Sequence, residues 1–244
     1  DPTIALVGVG AQPYEAPGWN DAVLEMVGRE LDYLSLHHYT PGYGPGELPP
    51  DHQPNHEALY PAVVAGPERV EELLQEAQAA LAQRGLAGRV RLALDEWNAW
   101  VHAHYDCGEG KPHLLRDGLY AAGMYHVMQR QCGLVAMANL AQLVNVLGAI
   151  YTTPQGLFVT PVYLANRLYA EHSGPVSLAT EVESPTFAAP AAAFLPARRH
   201  ARYVDAQATA DDSGTRLCLA VINRHSHEPA EVQIEVEGAA VAAQ

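Results

Sequence analysis

Cysteine is scarce in this chain: Cys107, Cys132 and Cys218 are the three among 244 residues. An odd number at scattered spacing does not make a disulfide framework and points to a reducing, cytoplasmic setting. Positive charge is also scarce. Against 28 Asp and Glu stand 14 Lys and Arg, a formal net charge of −14. That balance argues against a nucleic-acid-binding surface and against docking on an anionic membrane. No run approaches the roughly 18 apolar residues of a spanning helix, and no signal peptide is visible. No Gly-rich phosphate loop follows a strand, no Gly-x-Ser-x-Gly elbow occurs, and no cofactor is expected. What is present is a chain 48% hydrophobic, enough for a real core. It starts at Asp1 and enters a strand-like run, Ile4–Gly10, almost at once, so it reads as a piece of something longer.

Up to about residue 172 strands alternate with helices. The predicted strands are Ile4–Gly10, Asp32–Tyr39, Val90–Trp97 and Leu134–Ala141. The predicted helices are Trp19–Glu30, one that begins near Pro67, His113–Cys132 and Thr160–His172. In the second of these, Pro67 occupies the first turn, and Glu68, Glu71 and Glu72 suit the positive end of the dipole. Val70, Leu73, Leu74, Ala77 and Leu81 form one apolar face, and Gly85 fits a C-terminal cap. Thr40–His56 reads as a loop. Strands separated by helices imply parallel pairing. After Ser173 the texture becomes all-β: Val176–Val182, Ala201–Ala208, Arg216–Asn223 and Glu231–Val236 read as strands, and Pro185–Pro196 as a loop. The expected fold class is therefore α/β over 1–173, followed by an incomplete all-β sandwich over 174–244. Four βα units are half of a closed eight-stranded barrel; either the sheet is open, or this is the second half of a barrel.

In α/β folds ligands bind at the carboxyl ends of the strands. The second strand ends SLHHY, and alternation puts Tyr33, Ser35, His37 and Tyr39 on one face. A polar face on a parallel strand, which is normally apolar on both sides, suggests a lumen with a task. The third ends LALDEWNAW. Charged carboxylates are costly to bury, so Asp95 and Glu96 at the tip of an apolar strand suggest chemistry. Strict alternation places Glu96 with Leu92 and Leu94, and turns Asp95 the other way. The alternative is a structural, ion-paired acid. Trp97 and Trp100 serve either as core or as the wall of a sugar pocket. The fourth strand ends MANLAQLVN, whose amides suit hydroxyl groups. His102, His104, Cys107 and His113 are ligand types for zinc, but their spacing matches no site, and no metal is expected.

DEWN after an apolar strand, SLHHY one βα unit before it and MANLAQLVNV one unit after it resemble glycoside hydrolase family 51, the α-L-arabinofuranosidases. The resemblance covers nearly the whole chain, most securely Asp32–His172. It implies a TIM barrel, (β/α)8, of which these would be strands five to eight, with a jelly-roll sandwich attached. It implies retaining hydrolysis of terminal arabinofuranosyl groups, with Glu96 as nucleophile. His37, Tyr39, Trp100 and Gln142 would bind substrate, Tyr39 holding the nucleophile. For Asp95, Asn98 and Asn139 a supporting or structural role stays open. The family's acid/base is a glutamate in an Asn-Glu pair at the end of strand four. No such pair occurs in these 244 residues, so the fragment alone is expected to be inactive. The loop Val101–Pro112 is shorter than the family pattern. A homo-oligomer, hexameric by resemblance, and an arabinofuranosyl-containing saccharide are the expected partners. The alternatives are another retaining glycosidase of the same clan, an endoglucanase or β-xylosidase, and a non-catalytic carbohydrate-binding barrel.

Overall fold

The structure is a computed structural model that describes residues 3–11, 16–41, 56–101 and 113–238. The zinc-type residues His102, His104 and Cys107, and the bulk of the predicted loops 40–56 and 101–112, lie outside the described residues.

Four strands, β1 (Val7–Gly8), β2 (Tyr33–Pro41), β3 (Arg91–Trp100) and β4 (Val135–Leu140), pair in parallel and in sequential order. Helices α1 (Trp19–Val27), α2 (His56–Gln83) and α3 (Leu115–Arg130) connect them, and α4 (Pro161–His172) follows. Leu24 of α1, Leu74 and Leu81 of α2, Met124 and Val127 of α3 and Val162 of α4 enter one core with Leu34, Leu92, Leu94 and Trp97 of the sheet. All four helices therefore cover the same face. Crossovers of one hand between consecutive neighbours place every helix on one face, whereas a doubly wound sheet reverses its strand order and is covered on both sides. Burial of each large side chain contributes about 1.5–3 kcal/mol. The opposite face keeps its polar residues.

The helix over the sheet differs from the prediction. Pro67 does not start α2; the helix begins at His56 and carries Pro61 and Pro67 within it. The turn before Pro67 is apolar and deeply buried, Ala62, Val63, Val64 and Ala65 being at most 4% exposed. That burial offsets the backbone hydrogen bonds the prolines remove. Glu68, Glu71 and Glu72 consequently sit well inside the helix and pair with arginines instead of its dipole. Two glycines set the helix spacing. A Cβ at Gly123 of α3 would lie 2.7 Å from Pro67, and one at Gly118 would lie 2.9 Å from Pro161 of α4, so each crossing sets a rigid ring against a residue without a side chain.

Other boundaries moved too. The first strand is confined to Val7–Gly8, and β3 runs on to Trp100. An unpredicted antiparallel hairpin, β5 (Ile150–Thr153) with β6 (Gly156–Val159), stands between β4 and α4. Thr160 caps α4, its hydroxyl accepting from the Tyr163 N–H at 3.4 Å, with Pro161 in the first turn.

The remainder is all β: β7 (Val176–Leu178), β8 (Thr186–Ala189), β9 (Arg198–Arg202), β10 (Val204–Ala210) and β11 (Leu217–Asn223). The sheets are β11-β10-β7 and β8-β9, both antiparallel. The predicted loop 185–196 contains β8, and the predicted strand 201–208 is two strands that part at Tyr203. Glu231–Val236 alternates polar and apolar residues but forms no strand. Alternation prepares a face; only a partner edge supplies the hydrogen bonds of a strand.

The tail is joined to the helices by charge. Asp205 of β10 accepts from His126 Nδ1 at 3.0 Å, Arg224 Nη2 at 3.2 Å and Arg130 Nη1 at 3.3 Å. Arg224 also donates to Glu68 at 2.6 Å, and Arg130 to Glu71 at 2.9 Å. The Tyr169 hydroxyl meets His126 Nε2 at 2.6 Å. His126 and Asp205 are fully buried. Burial holds the His126 pKa below the ordinary histidine value, the two arginines adding to that effect and Asp205 opposing it. Burial alone would raise the Asp205 carboxyl, but the His126 hydrogen bond and the two guanidiniums hold it well below the usual carboxylate range.

Candidate active site

The site is built on an irregularity in β3. Along β2, Ser35 faces Ala93 and His37 faces Glu96. Along β4, Ala138 faces Leu94 and Leu140 faces Trp97. In both comparisons β3 spends three steps where its neighbour spends two. An extra residue in one strand is a bulge, which bends the strand and re-aims side chains. Leu94 and Trp97 both pack into the helix-side core, so the residues between them are turned to the opposite face together. This corrects the expectation from strict alternation. Asp95 does not point away from Glu96, and Glu96 does not continue the row of Leu92 and Leu94.

Both acids meet His37. Its Nε2 lies 3.5 Å from Asp95 Oδ1, and its Nδ1 lies 3.4 Å from Glu96 Oε2. The Ser35 hydroxyl donates to Asp95 at 2.7 Å. The Tyr39 hydroxyl donates to Glu96 Oε2 at 2.9 Å. Burial, and then the hydrogen bond to Glu96, raise the Tyr39 pKa well above the ordinary phenol value, so Tyr39 remains a proton donor at any working pH. The edge of Tyr39 meets Trp100 with ring centroids 5.0 Å apart. The side chains of His37, Asp95 and Glu96 are 48%, 35% and 46% exposed. Glu96 is thus held by one strong donor while part of its carboxylate faces outward, the condition for a carboxylate that can react.

His38, one residue along, belongs to the other side of β2. It is buried, bonds to Thr40 Oγ1 at 3.0 Å, and burial with the nearby Arg69 charge lowers its pKa to about 4. The two neighbouring histidines therefore differ in kind: His37 faces the acids, and His38 is a neutral core group.

The structure brings His37, Tyr39, Asp95, Glu96 and Trp100 together. Asn139 and Gln142 lie at the end of β4 and beyond it, exposed, and neither hydrogen-bonds to the Glu96 cluster among the described residues. Asn98 is fully buried, and its Nδ2 donates to the carbonyls of Ala141 at 2.8 Å and Leu147 at 2.7 Å. Sequence reasoning left Ser35 off its roster of site residues, although its position two residues before His37 on the same strand face marked it. It also missed the part played by His113, which is buried beside Asp117 and meets the Leu147 carbonyl at 2.8 Å.

The family model for the α-L-arabinofuranosidase C-terminal domain matches residues 95–244. The chain belongs to this family. The family-51 resemblance carried by SLHHY, DEWN and MANLAQLVNV is in agreement with it. An intracellular exo-α-L-arabinofuranosidase of Bacteroides ovatus is 30% identical over 185 residues, which are 72% of this chain and 35% of that protein. The crystal structure of an α-L-arabinofuranosidase from Thermotoga maritima in complex with arabinose is 33% identical. It superposes with a TM-score of 0.73 over 91% of this chain and 44% of that one. The thermostable family-51 arabinofuranosidase of Thermotoga petrophila RKU-1 gives 33% identity and a TM-score of 0.74, with the same coverage. The chain thus spans a third to a half of the length of these relatives. Among the described residues no helix is long and apolar enough to cross a membrane.

Proposed function

We propose that this chain supplies the nucleophile-bearing half of the active site of a retaining α-L-arabinofuranosidase. In this reading β1 to β4 are strands five to eight of a (β/α)8 barrel, residues 1–173 are its second half, and residues 174–244 are part of a jelly-roll sandwich. The sequential parallel order with all helices on one face supports it, because such a sheet curls toward closure and leaves its polar face as the lumen. The observation that carries the functional reading is the hydrogen bond from Tyr39 to Glu96 beside His37, in the C-terminal halves of β2 and β3 on that face.

The chemistry follows from the positions. Glu96 attacks the anomeric carbon of a terminal arabinofuranosyl group. The bond to the leaving oxygen breaks as that oxygen takes a proton, and a glycosyl ester forms on Glu96. Water, losing a proton to the same acid/base, then releases arabinose with retained configuration. Tyr39 holds the carboxylate in its attacking orientation and stays protonated. Trp100 offers an aromatic wall to the sugar, and Gln142 an amide to its hydroxyls. Retention requires a second carboxyl about 5 Å from the first. No Asn-Glu pair lies in these residues, so the acid/base is assigned to a segment outside them. The substrate is a terminal arabinofuranosyl unit on an oligosaccharide or polysaccharide, the setting is intracellular as in the named Bacteroides relative, and the assembly is a homo-oligomer.

The test uses the full-length protein and an aryl α-L-arabinofuranoside. Glu96→Ala should lower turnover on the order of 10⁴-fold or more, and azide should restore it while yielding the inverted arabinofuranosyl azide. Turnover within tenfold of the parent protein would remove Glu96 from this role. Faster cleavage of an aryl xyloside or a glucan would move the protein to another retaining glycosidase class.

A further inference from the structure

The segment after β4 is held in an unfavourable backbone shape. Asn145 and Leu147 have φ of 54° and 58°, the left-handed region that a branched apolar residue such as leucine seldom adopts. Gly148 between them and the hairpin is crowded: a Cβ there would lie 2.4 Å from the Asn145 carbonyl oxygen. Such geometry persists only where the surroundings fix it, and it concentrates at ligand-contacting loops.

What fixes it comes largely from β3. Asn98 stands two residues beyond Glu96 and is fully buried. Both hydrogens of its amide are used, on the carbonyls of Ala141 at 2.8 Å and Leu147 at 2.7 Å. Its Oδ1 accepts from the Ala99 N–H at 2.8 Å. The Leu147 carbonyl has a second partner, His113 Nε2, at 2.8 Å. Both ends of the loop are thus tied to the strand that carries Glu96, with Ala141 N additionally bonded to the Trp97 carbonyl at 3.2 Å. Between the two tied carbonyls lie Gln142 and the exposed Leu143, Val144 and Val146. They follow directly on β4, whose Leu140 faces Trp97, the residue after Glu96.

We propose that Asn98 is a positioning residue for substrate: by clamping the Ala141 and Leu147 carbonyls it fixes the loop 141–148 and sets Gln142 at a constant offset from Glu96. This rests on the arabinofuranosidase reading and adds to it a second shared rigid element. A displacement of the loop would spoil binding while leaving the nucleophile in place.

The experiment is a double-mutant cycle on the full-length protein, assayed with p-nitrophenyl α-L-arabinofuranoside. Asn98→Asp keeps the side-chain shape and loses both donors. It should raise KM about tenfold or more, with a smaller change in kcat. In a Gln142→Ala background the same substitution should cost less than about threefold, because partners acting through one contact are non-additive. An Asn98→Asp protein within twofold of the parent, or losses that simply multiply in the double variant, would overturn the proposal. Where Asn98→Asp does not fold, the Leu147 carbonyl is approached from its other side. His113→Phe should raise KM, and His113→Gln, which keeps a donor, should restore it; equal effects of the two would count against the clamp. Hydrogen exchange of the amides of 143–147 gives a reading independent of turnover. Faster exchange in Asn98→Asp supports the clamp, and unchanged exchange overturns it. A parent protein that cleaves no arabinofuranoside would instead overturn the functional reading.

Discussion

Two clusters in this molecule are made of the same materials and do opposite things. On the open face of the sheet, Glu96 and Asp95 share His37, with Tyr39 and Ser35 as donors. On the helix side, Asp205 and Glu68 share Arg224, with His126, Arg130 and Tyr169 around them. The second cluster is buried, and its carboxylates are saturated by cations and hydrogen-bond donors. In the first, the carboxylates are a third to a half exposed. A carboxylate whose lone pairs are all engaged is structure; one held by a single strong donor, with a free side on the open face of the sheet, is available for a reaction. Residue type does not separate the two cases. Saturation and exposure do.

The sharpest test of that distinction is a pair of deletions read on two instruments. Glu96→Ala should abolish turnover, as above, and shift the unfolding free energy by no more than about 0.5 kcal/mol, the range of surface substitutions. Arg224→Ala should do the reverse. It leaves Asp205 and Glu68 buried without their shared cation, a loss of about 3–5 kcal/mol, measurable as a lowered urea midpoint of the full-length protein. An Arg224→Ala protein of parental stability would mean that the buried cluster is not structural.

Next in size is Tyr39→Phe. It removes the one strong donor to Glu96, a hydrogen bond to a charged group of about 1.5–3 kcal/mol, so kcat/KM should fall roughly ten- to hundredfold with little change in melting temperature. Equal kinetics for Phe and Tyr at this position would show that Glu96 is oriented by other groups.

Per group and per pH unit, the smallest effect is the pH dependence of stability. His126 fits its partners as a neutral ring, its Nδ1–H donating to Asp205 and its Nε2 accepting from Tyr169. His38 is likewise neutral, with a pKa near 4. In the unfolded chain both titrate near 6.5. As pH falls through 6.5 the unfolded state takes up protons that the native state refuses, so stability falls with acidification between about pH 6.5 and 4. The slope is up to roughly 1.4 kcal/mol per pH unit for each such group. Asp205, held low in the fold, adds further loss below the ordinary carboxylate range. Urea titrations at pH 7 and pH 5 measure the slope, and His38→Gln should lower it. A stability that rises on acidification would reverse the assignment of both rings.

Much of the site could be read from short stretches. SLHHY and DEWN each fall in the C-terminal half of an apolar strand, so His37, Tyr39 and Glu96 could be assigned to consecutive strands before any coordinates, although both strands run on past the ends expected for them. The orientation of Asp95 could not, because a period of two assumes an unbroken ladder and β3 carries an extra residue between Ala93 and Trp97. The start of α2 was misplaced for a different reason. Proline is a strong local stop signal, and it was outweighed by the burial of Ala62–Ala65, which is a property of the packed core. Asn98 was noticed but its use was not, since the carbonyls it binds lie 43 and 49 residues away.

The buried cluster left no local trace at all. Glu68 and Arg224 are 156 residues apart, His126 and Asp205 79 apart, and nothing in the neighbourhood of any of them marks the others. Periodicity, caps and the chemistry of a strand's carboxyl end are short-range, so the amino-acid order settled the βα rhythm, the change to β structure after Ser173 and the residues that bring carboxylates into the C-terminal half of β3. Bulges, loop clamps and shared charges depend on which distant segments meet. Those were decided only when the sheet, the four helices and the tail packed against one another.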